Sequence, residues 1–140
     1  MKHYACAVLL AEGRILLGLR APHRRSYANR WDVIGGLVET GETMHEALAR
    51  ELREEIGVVP AEWSELGTII DRNPGARGEA TYHMFLVTAW SGGEPGLRNF
   101  EHSVIDWFTP EAAASLPDLA LPEYAALFRG IAAGADQGKE

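Results

Sequence analysis

Residues 43–57 read TMHEALARELREEIG, and this stretch constrains the chain more than any other. Thr43 is followed three residues later by Glu46, the pattern of a capping box. The threonine hydroxyl accepts from a backbone N–H of the first turn, and the glutamate reaches back to the threonine's own N–H. Met44, Leu48, Leu52 and Ile56 recur every fourth residue and make one apolar stripe. Gly57 stands where helices end in a left-handed residue. The pattern predicts a helix over residues 43–56 that must bury one face against something else.

The rest of the chain supplies strands for it to pack on. Residues 4–10, 14–20, 31–34, 63–71, 81–90 and 104–108 are short and rich in β-branched or aromatic side chains, with turn residues between them. Gly35-Gly36 is read as the end of the third strand. Residues 21–29 and 73–78 are predicted loops, and residues 91–96 a turn. Two further helices are predicted over residues 110–115 and 122–133, followed by a polar, frayed tail from residue 134. Strands on both sides of one central helix imply an α/β fold with a mixed sheet between helical layers. A chain of 140 residues makes about one domain, set here at residues 1–133.

The same helix carries Glu51, Glu54 and Glu55. At 3.6 residues per turn these acids share one face, bordering the apolar stripe. Like charges so close repel one another, so the sequence needs a compensating partner. Arg50 and Arg53 offer one answer, ion pairing on a solvated face. Hard divalent cations offer the other, because Mg²⁺ and Mn²⁺ take oxygen ligands and leave room for substrate phosphates. A net charge of −7 disfavours duplex nucleic acid and anionic membranes as partners, yet suits a site that recruits cations.

Residues 36–58, GLVETGETMHEALARELREEIGV, resemble the Nudix box, G-x5-E-x7-R-E-U-x-E-E-x-G-U with U apolar, at all nine specified positions. One departure from many members precedes the box, where Ile34 replaces a common proline. The resemblance implies an α/β/α sandwich with the box as a loop–helix–loop. It implies that Glu51, Glu54 and Glu55 bind Mg²⁺ or Mn²⁺, with the Gly36 carbonyl as a further ligand. It implies that Arg50 orients a glutamate and that Glu42 supports the loop, pairing with Arg50. The implied reaction is attack of water at phosphorus in a nucleoside diphosphate derivative, with Glu51 or Glu54 as a candidate base. Some relatives place a base or late metal ligand on a loop before a late strand. Glu101 occupies that position here, with His102 beside it.

The implied substrate is a nucleotide, in the MutT-like branch a nucleoside triphosphate, oxidised or not, cut to the monophosphate and pyrophosphate. Nucleotide sugars and dinucleoside polyphosphates are the alternatives, and a binding module without turnover is a third. Arg20, His23, Arg24, Arg25 and Arg30 cluster around the loop leading into the box and either grip phosphates or solubilise the loop. Tyr27, Phe85, Trp90 and Trp107 are candidates to stack a base, with core packing the simpler role for each. The lone cysteine, Cys6, reads as a small buried hydrophobe. No basic-then-apolar leader and no bilayer-length apolar run appear, so the expected location is cytoplasmic, as a monomer or homodimer.

Overall fold

In the computed structural model, which describes residues 2–72 and 79–137 (side chains to residue 134), the apolar stripe of the predicted helix lies against a mixed sheet. The predicted 73–78 loop falls outside the described residues. The strands are β1 (Lys2–Ala11), β2 (Arg14–Arg20), β3 (Trp31–Asp32), β4 (Ile34–Leu37), β5 (Val59–Asp71), β6 (Ala80–Ser91) and β7 (His102–Phe108). Their order is β3-β2-β1-β6-β5, with β4 also against β1 and β7 against β2. The β1–β6 pair is parallel and the others are antiparallel.

Alternation along β1 separates two cores. Ala5, Ala7 and Leu9 face α1 (Met44–Ile56), where they meet its buried Leu48, Leu52 and Ile56. Cys6 and Val8 face the other side, with Tyr82 and Met84 of β6. There they pack against α2 (Pro110–Ala114) and α3 (Tyr124–Gln137) through Ala113, Tyr124 and Phe128. The result is the α/β/α sandwich expected from the sequence.

The caps of α1 form as the sequence predicts. The Glu46 N–H donates to the Thr43 hydroxyl at 3.1 Å, and the Thr43 N–H donates to the Glu46 carboxylate at 2.9 Å. Gly57 closes the helix at φ 74°, in the left-handed region.

Several boundaries differ from the sequence reading, among them that of α3, which runs to Gln137 where the sequence predicts a frayed tail from residue 134. The third predicted strand is split: β3 pairs with β2, and after Val33 the chain changes partner so that β4 pairs with β1. Gly35 and Gly36 lie inside β4, opposite Cys6 and Ala5, and do not end the strand. A Cβ on Gly35 would collide with the Ala5 carbonyl, so the glycine permits a close approach. Strand β5 begins at Val59, because Pro60 sits on the outer strand of the sheet, where proline is tolerated. Strand β7 begins at His102, two residues earlier than predicted.

Replacing Thr43 with Ala removes one half of the capping box. It should lower unfolding free energy by about 1 kcal/mol, within a range of about 0.5–2. Urea denaturation of the two proteins measures this directly, and an unchanged midpoint would count against the cap as a source of stability.

Candidate active site

The change of strand partner at Val33 creates the site. A cavity of about 300 Å³ lies there, with Asp32 and Val33 on one side of the switch and Gly35, Gly36 and Leu37 on the other. Glu51 from α1 and Glu101 from the segment before β7 reach into it, and Tyr4, Tyr82 and Tyr124 line its wall. It thus draws on both helical layers.

Helix α1 presents its acids unequally. Glu51 and Glu55, one turn apart, are buried with the apolar stripe, whereas the Glu54 side chain is 56% exposed. Glu51, Glu55 and Glu101 each offer an oxygen within 4.8 Å of the other two. Glu54 is not part of that cluster. Burial raises the pKa of Glu51, against the opposing pull of Arg50. Burial raises that of Glu55 further, and the Glu101 and Glu51 carboxylates add to it. Glu101 moves the other way, lowered first by its proximity to the Glu55 carboxyl and then by Arg24 at 3.3 Å. Neighbouring acids whose charges repel shift apart in this manner.

Arg50 organises the loop side of the site. Its guanidinium donates to both oxygens of Glu42, at 2.7 and 3.0 Å, and to the Leu37 carbonyl at 3.0 Å. It also reaches Glu51 at 2.9 Å and Glu54 at 3.3 Å. Hydrogen bonding to Arg50 brings the Glu42 pKa down to about 2. The arginine therefore ties the box loop to the acidic face of α1 and fixes the Glu51 carboxylate. The sequence expectation of a Glu42–Arg50 pair matches this geometry.

Gly36 has its own steric reason. A Cβ there would overlap the Glu51 carboxylate. The backbone of β4 and the acid of α1 approach closely because no side chain intervenes.

The loop carrying Glu101 is fastened to the end of α1. The Gly96 N–H donates to the Ile56 carbonyl at 3.1 Å, and the Arg98 N–H to the Glu55 carbonyl at 2.9 Å. The Glu101 carbonyl accepts from the Ala21 N–H at 2.9 Å. Backbone bonds from two directions thus hold Glu101 opposite Glu55.

The residue set fits a hard divalent cation on three counts. The converging donors are all oxygens. Both Glu55 oxygens are buried without a hydrogen-bond partner among the described residues, and an unpaired buried acid is costly unless something else compensates it. Gly36 brings a backbone segment against the Glu51 carboxylate.

Among the residues singled out from sequence, the four aromatic candidates do not line this cavity. Phe85, Trp90 and Trp107 pack in the α1-side core, and Tyr27 donates to Asp71 at 2.7 Å. The aromatic wall is instead Tyr4, Tyr82 and Tyr124, which sequence reasoning missed because each belongs to an ordinary apolar pattern. Asp32 was also missed. It is buried, pairs with Arg20 at 3.4 Å and accepts from the Tyr124 hydroxyl at 2.7 Å. Arg20 is therefore a buried partner of the site and not a solvated loop charge. Arg24 lines the main cavity and, with His23, Arg25 and Ser26, a neighbouring one of about 360 Å³. Cys6 is buried, as expected, at the edge of the main cavity.

Residues 1–129 match the NUDIX domain family. The chain belongs to that family. This Nudix hydrolase is 30% identical over 119 residues to the CTP pyrophosphohydrolase of Escherichia coli (strain K12), covering 84% of this chain and 82% of the relative. It is 32% identical over 88 residues to the 8-oxo-dGTP diphosphatase of Proteus vulgaris, covering 63% of this chain and 77% of the relative. The crystal structure of the MutT NUDIX hydrolase from Burkholderia pseudomallei is similar with a TM-score of 0.80 and 25% identity, over 91% of this chain and 95% of that one. These likenesses place the chain in the MutT-like branch of the Nudix hydrolases. No helix among its described residues is long and apolar enough to cross a membrane.

Replacing Gly36 with Ala should displace the Glu51 carboxylate while leaving the cores intact. A shift of about 1 Å at a reacting group can cost about 10²-fold in rate, and a loss of that order in kcat/KM is expected. Steady-state kinetics on protein with a native circular dichroism spectrum checks this. Parental activity would mean that the close approach is irrelevant to function.

Proposed function

We propose that this Nudix hydrolase is a Mg²⁺- or Mn²⁺-dependent nucleoside triphosphate pyrophosphohydrolase, releasing the nucleoside monophosphate and pyrophosphate. The observation that carries the reading is the cluster of buried Glu51 and Glu55 with half-buried Glu101, which meets a cavity with a tyrosine wall through Glu51 and Glu101. Its volume of about 300 Å³ lies at the lower end for small-ligand pockets, which suits a single nucleobase.

Glu51, Glu55 and Glu101 would hold the metal, with the Gly36 carbonyl as a further ligand and Glu54 contributing from the solvent side. When bound, divalent ions would lower the pKa of the attacking water and neutralise phosphate charge. Arg50 keeps the Glu51 carboxylate oriented. A carboxylate of this group takes the proton from the water that attacks phosphorus. Arg24, paired with Glu101, and Arg25, in the neighbouring cavity, grip phosphate oxygens by charge-assisted hydrogen bonds. Tyr4 and Tyr82, stacked on each other with ring centroids 5.0 Å apart, wall the base, and the buried Asp32–Arg20 pair offers polar groups to its edge. The relatives named for CTP and 8-oxo-dGTP support a triphosphate substrate in the domain spanning residues 1–133.

Excess chelator should abolish hydrolysis, and Mg²⁺ or Mn²⁺ should restore it. In a panel of nucleoside triphosphates, nucleotide sugars and dinucleoside polyphosphates, triphosphates should show the highest kcat/KM and yield monophosphate plus pyrophosphate. Turnover of sugars or dinucleotides with triphosphates untouched would overturn the substrate assignment. Full activity in chelator would overturn the metal assignment. Glu101→Gln should lower kcat by about 10²–10⁴ if this acid acts directly on the reacting groups. A change below about threefold, or about 0.65 kcal/mol, in a folded variant would remove Glu101 from the mechanism.

A further inference from the structure

Glu55 does not lie alone in the protein interior. His102, at the start of β7, is 5% exposed, and its Nδ1 lies 3.7 Å from Glu55 Oε1. Among the described residues, neither imidazole nitrogen and neither Glu55 oxygen has a hydrogen-bond partner. Four orphaned polar atoms side by side in one buried spot are costly, and native proteins rarely retain them without a use.

The backbone is shaped to put the ring there. Gly18 sits inside β2, where glycine weakens a strand. A Cβ at Gly18 would fall within the His102 ring, so the glycine makes a notch for the imidazole. A bulge completes the arrangement. Val104 pairs with Leu19 and His102 with Arg20, leaving Ser103 as the extra residue of β7. Ile105 packs on the α1 side of the sheet. Strict alternation from Ile105 would place Ser103 on that side and turn His102 away, and the bulge reverses this. Two departures from regular strand structure thus serve one placement.

We propose that His102 is a positioning residue for the metal site: its Nδ1–H donates to the Glu55 carboxylate and sets the orientation in which that carboxylate meets a divalent cation. The inference rests on the metal-dependent reading above. Direct ligation by the ring is disfavoured, because the oxygens of Glu51, Glu55 and Glu101 converge within 4.8 Å of one another as a set that does not include His102. The present 3.7 Å separation exceeds a hydrogen bond, and a small rotation of either side chain closes it. A ring N–H at Nδ1 supplies one of the donors that the two Glu55 oxygens lack. Partners that orient a ligand in this way commonly change metal affinity by about 10–100-fold.

The test is Mn²⁺ binding to the folded protein without substrate, followed by the electron paramagnetic resonance signal of free Mn²⁺. His102→Phe keeps the ring shape in the Gly18 notch and removes the donor. It should weaken Mn²⁺ binding by about 10–100-fold, while the thermal midpoint in chelator stays at or above that of the parent. His102→Gln, which restores an N–H donor, should recover most of the affinity. Gly18→Ala, which displaces the ring without altering it, should weaken binding in the same direction and covers the case in which His102→Phe does not fold. Parental Mn²⁺ affinity in His102→Phe or in Gly18→Ala would overturn the inference. So would equal losses in the Phe and Gln variants accompanied by a lowered midpoint in chelator, the pattern of a purely structural residue. A parent that binds no Mn²⁺ would overturn the metal reading itself.

Discussion

Burying like charge on one helix face is the constraint around which this molecule is arranged. Glu51 and Glu55 lie one turn apart on α1, both buried, and Glu101 faces them from another segment. An isolated carboxylate moved out of water pays several kcal/mol. Arg50 relieves Glu51, and Arg24 relieves Glu101. Among the described residues Glu55 has no comparable cation, and its pKa rises well above the ordinary carboxylate value. The apolar stripe of α1 is what makes such burial possible, because Leu48, Leu52 and Ile56 anchor the helix against Ala5, Ala7 and Leu9 and carry the acids inward with them.

The surrounding backbone answers to the same constraint. The switch of partner at Val33 opens the sheet beside the cluster, and Gly36 lets β4 reach the Glu51 carboxylate. The Gly96 and Arg98 amides bind the last carbonyls of α1, so the helix end and the Glu101 loop are one unit. Arg50 performs the equivalent task at the other end by joining Glu42, Leu37 and Glu51. The acids come from distant parts of the sequence, yet each is held by short backbone or guanidinium contacts and does not depend on a long flexible side chain to find its place.

Much of this could be read from the sequence because it is local. The capping box, the four-residue stripe and the Gly57 terminator are all set within residues 43–57, and the structure forms them as read. The box pattern likewise identified the acids of α1 and the pairing of Glu42 with Arg50. What escaped was long-range. Glu54 and Glu55 are neighbours in sequence, but only the packing of α1 makes one exposed and the other buried. Tyr4, Tyr82 and Tyr124 look like core residues, since the cavity they line exists only where the chain passes from β3, paired with β2, to β4, paired with β1. Asp32 and Arg20 come together through the pairing of β3 with β2, which no local period announces. The bulge at Ser103 is a matter of register between strands and leaves no signature in composition.

The central claim is that the acidic cluster is unfavourable by itself and made favourable by a divalent cation. Thermal unfolding of the parent and of Glu55→Gln, each in chelator and in saturating Mn²⁺, tests it most directly. In chelator the variant should be the more stable, because Gln ends the competition between burying a charge beside Glu51 and Glu101 and holding a proton to avoid it. At a Mn²⁺ concentration about 100 times the dissociation constant, the parent should gain about 2.7 kcal/mol, and the variant much less, so that the order of the two midpoints narrows or inverts. A parent whose midpoint does not move with Mn²⁺, together with a variant that is less stable in chelator, would contradict the account.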